Sequence, residues 1–142
     1  MRNIPFTIIP LIIFNLVVFI VPNAVVLPGT TGSDWTEDIA RLTLFSDAQW
    51  TLTAGNLMVV VGLLALLGEV VRSTALAKSA LANHLVSILV LIIFVVEFAV
   101  VDKAANSTFF ILTMIALIDV LTGIVITVRL ASRDVTFAGP PR

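Results

Sequence analysis

The chain has no cysteine, a single histidine and little charge. Each shortage excludes something. Without cysteine there is no disulfide framework, no thiolate metal site, no iron–sulfur cluster and no cysteine nucleophile. The one histidine, His84, rules out any site built from two or more histidines of the same chain and leaves no Ser/His/Asp set. There is no glycine-rich phosphate loop and no HExxH motif. The formal net charge of −1 comes without a basic patch, so nucleic acid is not an expected partner, because holding its backbone takes several Lys or Arg contacts. Nothing here reads as an enzyme, and no cofactor or metal is expected.

What is present is apolar. Hydrophobic residues make up 59% of the 142 positions and charged ones 12%, against roughly a quarter charged in soluble domains. The mean hydropathy is +1.14. This is the composition of a chain whose solvent is lipid. A spanning helix needs about 20 apolar residues to cross a hydrocarbon core of ~30 Å. Four stretches qualify, at about 4–21, 50–71, 81–101 and 108–128. They lack the two-residue alternation of barrel strands, so helix is the expected form. The reading is a single all-α transmembrane domain over 1–142, an antiparallel four-helix bundle. Short connections at 72–80 and 102–107 make neighbouring helices antiparallel.

The first stretch also resembles a signal peptide, with Met1-Arg2-Asn3 before an apolar run. That run exceeds the roughly 7–15 residues of such a segment, and Pro22-Asn23-Ala24 is a poor cleavage site, so a retained span is expected. Pro10 is expected to kink it.

The outer loop, 22–49, contains a turn signal at Leu27-Pro28-Gly29-Thr30. In 34–45, Trp35, Ile39 and Leu42 recur at helical spacing opposite Asp34, Asp38 and Arg41. This predicts a short amphipathic interfacial helix. Ser46-Asp47-Ala48-Gln49 fits a capping box opening helix two, with Trp50 at the water–lipid boundary. A tail follows at 129–142, and its last residues, Val135 to Arg142, with Gly139-Pro140-Pro141, are expected to fray.

Orientation follows from Lys and Arg. Arg2, Arg72, Lys78, Arg129, Arg133 and Arg142 fall on one side, and Arg41 and Lys103 on the other. Positive residues mark the cytoplasmic face, so both termini are expected inside and the acidic loop (Asp34, Glu37, Asp38 and Asp47) outside. In size and topology, with no motif behind it, the chain resembles small bacterial four-helix inner-membrane proteins. The expected location is therefore a bacterial inner membrane.

Ionisable groups inside apolar spans are costly and mark candidate sites. Asp119 lies ~16 Å into helix four at 1.5 Å per residue. It stands on a face of small or hydroxylic residues, Thr113, Ala116, Gly123 and Thr127. It reads either as a carboxyl hydrogen-bonded across helices or as a proton or cation site. Glu97, Asn56 and Asn15 share a depth of roughly 7–11 Å below the outer boundary. They form a closed polar network, or a ligand site, unless Glu97 instead snorkels to Lys103. Glu69 and Arg72 make an i, i+3 ion pair near the inner interface, where His84 could meet Glu69 across the loop. As a haem ligand, His84 would need a second axial partner from elsewhere. Gly55, Gly62 and Glu69 repeat every seven residues, and with Ala116 and Gly123 these small residues suggest close helix packing. Asn106-Ser107-Thr108 matches a glycosylation sequon but reads as a helix cap.

Two functions fit. One is a non-catalytic accessory or assembly subunit, or a homo-oligomeric scaffold, whose partners are the lipid bilayer and either itself or another membrane protein. The other is a small oligomeric proton- or cation-coupled transporter or channel using Asp119, with or without Glu97.

Overall fold

The computed structural model describes residues 4–20, 35–75 and 80–137. The turn expected at Leu27–Thr30 lies outside these, as do 76–79 in the connection after Arg72 and 138–142 of the tail. Among the described residues there are four α-helices: α1 (Ile8–Asn15), α2 (Ala54–Ala75), α3 (Ala80–Val100) and α4 (Ser107–Phe137). Two strands, β1 (Asp38–Thr43) and β2 (Gln49–Thr53), form an antiparallel hairpin. Two helical stretches, Ala54–Ser73 and Ser107–Val128, are long and apolar enough to cross a membrane, whereas Ile8–Phe19 and His84–Val100 are shorter.

The four helices meet around α4. Its start lies against the start of α2, since a β-carbon on Gly55 would stand 2.5 Å from Thr108 Oγ1. Further along, Gly62 faces Leu112 and Ile115. These two helices therefore run parallel. His84, early in α3, lies against Gly123, later in α4, so α3 runs the other way. The buried positions follow helical spacing: Leu11, Phe14 and Val18; Met58, Ala65 and Glu69; Ser87, Val90 and Phe94; Phe109, Leu112, Ala116 and Val120. At one end Phe109 meets Phe14 at 4.5 Å and Phe94 at 5.3 Å, and Trp35 stacks on Phe14 at 4.8 Å.

Three local expectations are corrected. First, 34–45 is not an interfacial helix. Residues 38–43 pair with 49–53, with Leu42 opposite Trp50 and Arg41 opposite Thr51. Helical spacing and strand alternation both fit so short a segment, and β-branched and aromatic partners downstream decide for the strand. Second, Ser46-Asp47-Ala48-Gln49 is not a capping box. Asp47 N–H donates to the Leu44 carbonyl, Leu44 N–H to that of Ala48, and Asp47 takes φ 60°. That is a three-residue hairpin loop ending in a left-handed residue. Helix two starts at Ala54, capped by Thr53, whose hydroxyl accepts from Asn56 N–H at 3.1 Å. Third, α4 continues through Phe137 into the stretch expected to be tail.

Pro10 falls in the first turn of α1, where its missing N–H would have no helical partner anyway. The departure from α geometry comes later, in a π-helical turn over Leu16–Ile20. It begins just after Asn15, whose side-chain amide donates to the Leu11 carbonyl one turn back. A side chain competing for the helical ladder is a recognised cause of such a break. Lys103 reaches the Val18 carbonyl at 3.5 Å. Asn106 caps α4, accepting from Phe109 N–H at 2.9 Å.

Candidate functional site

The polar side chains of the helices form two groups at opposite ends. The first group gathers residues from α2, α3 and α4 and from the turn before α1. Glu69 is 2% exposed, and its carboxylate receives the Arg72 guanidinium at 2.8 Å and Phe6 N–H at 2.9 Å. Arg72 also donates to the Ile4 carbonyl at 2.7 Å and lies 4.7 Å above the Phe6 ring. Gly68, one residue before Glu69, lets that ring close in, for a β-carbon there would come within 2.9 Å of it. The i, i+3 pair thus does more than neutralise itself. It holds an N-terminal turn whose own N–H and C=O groups precede the helical ladder and need outside partners.

Asp119 is 5% exposed and accepts a hydrogen bond from the buried hydroxyl of Thr7 at 3.1 Å. The buried hydroxyl of Ser87 faces the same carboxyl, and Glu69 and Arg72 lie within electrostatic reach. The sequence placed Asp119 and Glu69 in separate regions, whereas the fold draws them into one cluster. Two carboxyls and one guanidinium thus stand together among the described residues, and because charge in a dry interior is expensive, each carboxyl there is held by hydrogen-bond donors.

His84 packs over Gly123, where a β-carbon would stand 2.6 Å from its Nδ1. That nitrogen is buried without a hydrogen-bond partner among the described residues, and the contact expected with Glu69 is not among those the structure displays.

The group at the other end is smaller than expected. Asn15 Nδ2 donates to Glu97 Oε2 at 3.0 Å. Glu97 Oε1 is buried with no hydrogen-bond partner among the described residues. Asn56 does not join them. Because α2 begins at Ala54, the face carrying Gly55, Met58, Gly62 and Ala65 turns inward and leaves Asn56 exposed. Lys103 engages the Val18 carbonyl and the Phe19 ring, 5.5 Å away, in place of Glu97. Beside Asn15 runs an open groove of about 350 Å³, otherwise lined by Ile8, Leu11, Ile12, Leu16 and Phe19. Such a lining suits an aliphatic chain better than water.

Thr7, Ser87 and Gly68 went unnoticed in the sequence. The available signal was a hydroxyl within an apolar run, which has few partners there except another helix. Among the described residues, no group of three or more His, Asp or Glu side chains is arranged to hold a metal ion. Compared with known family models, characterised proteins and solved structures, the chain matches none.

Proposed function

We propose that this chain is a non-catalytic membrane protein of four spans, with both ends cytoplasmic, serving as an accessory or assembly subunit or as a homo-oligomeric scaffold in a bacterial inner membrane. One observation carries the reading. Most polar groups within the apolar stretches pair with one another, in Thr7–Asp119, Glu69–Arg72 and Asn15–Glu97. The residues facing outward are apolar, such as Leu64, Leu67, Leu89 and Val128. Only 28% and 39% of the two long apolar windows are buried, which supports helices bathed in lipid or a partner over core helices wrapped by their own chain. A protein built this way acts through the surface it offers.

The test is purification in mild detergent, with the mass of the particle and every co-purifying chain determined. A stoichiometric foreign subunit or a defined homo-oligomer is the expected result, and a lipid-bound monomer would overturn the reading. Reporter fusions at position 40 and at the C-terminus should lie on opposite sides of the membrane.

A second reading has its own support, the burial of the Asp119 carboxyl beside Glu69 and Arg72 within an apolar helix. In it, an oligomer of this chain moves a proton or small cation, with Asp119 as carrier. Proton and sodium flux into liposomes should then appear with the wild type and vanish with Asp119→Asn. Absence of both fluxes in the wild type removes this reading.

A further inference from the structure

The hairpin is amphipathic, and its irregularity keeps it so. Successive residues of a strand point to opposite faces, and the pairing fixes which residues share one. Ala40 lies opposite Leu52 and Leu42 opposite Trp50, while Leu44 meets Ala48 through its N–H. All six are apolar. The other face carries Arg41 opposite Thr51 and Thr43 opposite Gln49. Asp38 would fall on the apolar face by simple alternation. The register shifts between Asp38 and Ala40, and Asp38 pairs instead with Thr53. One extra residue, Ile39, thereby moves the carboxylate to the polar face, where it joins Arg41. Without the bulge a charge would sit among the leucines.

Most of this apolar face is exposed, with Ala40 and Leu52 half-buried. Leu42 is 54% exposed and Trp50 44%, and Phe45 at the tip is fully exposed. A hairpin alone is marginally stable in water, so a face this apolar needs a cover. The base is fixed, because the carbonyls of Trp35 and Glu37 take the N–H groups of Gly55 and Ala54. Strand β2 then passes into α2 with no intervening residue, and the first turns of that helix themselves present exposed apolar residues, Leu57 and Val60. An indole at such a junction has the amphipathic character that favours the bilayer interface.

We propose that the hairpin lies on the outer membrane surface with Leu42, Leu44, Trp50 and Leu52 in the headgroup and upper acyl region and Arg41, Thr43, Gln49 and Thr51 toward water. This rests on the membrane reading above. The ligand is a lipid surface, and a neutral one. The nearby charges, Glu37, Asp38, Asp47 and Asp102 against Arg41 and Lys103, give no attraction to anionic headgroups.

The absence of native cysteine makes the test direct. Single substitutions Leu42→Cys, Thr43→Cys, Gln49→Cys and Leu64→Cys are nitroxide-labelled and reconstituted in phosphatidylcholine vesicles. Collisions with oxygen, which concentrates in lipid, are compared with collisions with a water-soluble nickel complex. At 42 the oxygen-to-nickel ratio should exceed that at 43 and 49 several-fold, with 64 higher still. Equal ratios at 42 and 43 would mean that the hairpin stands in water. Protection of 42 from both reagents would mean that protein covers the face. Either result, with 64 still in lipid, overturns the hairpin proposal alone, whereas nickel access at 64 removes it together with the membrane reading. Should Leu42→Cys fail to fold, Ala48→Cys reports the same face.

Discussion

Thr7, just before α1, donates its hydroxyl to Asp119 in the middle of α4, at 3.1 Å and 112 positions away in sequence. The bond ties the first helix to the hub of the fold at the level where Glu69 and Arg72 hold Ile4 and Phe6. The entry of α1 is therefore fixed by polar contacts to α2 and α4 together with the buried Pro5 and Pro10 side chains, and its packing continues at Leu11 and Phe14.

Asp119→Asn keeps an acceptor for Thr7 and removes the ionisable carboxyl. It should change thermal stability little. Asp119→Leu orphans the hydroxyls of Thr7 and Ser87 and should cost about 1–3 kcal/mol. Thr7→Val should cost about 0.6–1.7 kcal/mol, the span measured for hydrogen bonds between membrane helices. Unfolding in detergent ranks the three. If Asn proves as harmful as Leu, the negative charge itself is required, and a bound cation becomes the better account.

The glycines of α2 should differ in tolerance. At Gly55 a β-carbon meets the Trp35 backbone carbonyl at 2.8 Å, and backbone cannot swing aside. At Gly62 it meets only the ends of Leu112 and Ile115. Alanine gains up to ~1 kcal/mol over glycine in helix propensity. Gly62→Ala should therefore be near neutral, and Gly55→Ala destabilising despite that gain. Gly123→Leu should displace His84 and disrupt the fold or its assembly. Thermal midpoints and particle size measure all three, and equal midpoints for the two alanine variants would contradict the assigned contacts.

Asp47 holds φ 60° at the end of the hairpin loop. Asp47→Gly should preserve or tighten the hairpin. Asp47→Val should cost about 1–2 kcal/mol, because a β-branched residue resists left-handed backbone. Amide exchange of Leu44 and Asp47, both bonded across the loop, should slow or hold with Gly and quicken with Val. Quickened exchange with Gly would contradict the assigned turn.

Asn106 accepts from Phe109 N–H and donates to the Lys103 carbonyl. Asn106→Ala should cost about 1 kcal/mol as a lost helix cap, and Asn106→Asp should recover much of it, since a carboxylate caps equally well. If Asn106→Asp recovers nothing, the cap is not what this residue contributes.

By itself the sequence determined the apolar helical stretches, because twenty residues without charge leave a backbone few ways to satisfy itself. It also marked Asp119, Glu97 and the Glu69–Arg72 pair, since a charge among leucines is visible without any structure, and it gave Asn106 as a cap. Those are local properties. Whether 38–53 is helix or hairpin was decided only in the fold, because so short an amphipathic segment satisfies both periods until its pairing partner is known. The union of Asp119 with Thr7 and Glu69, and the exclusion of Asn56, were likewise tertiary. Helix rotation sets which side chains face one another, and that rotation is fixed by packing at Gly55, Gly62 and Gly123 against residues far along the chain.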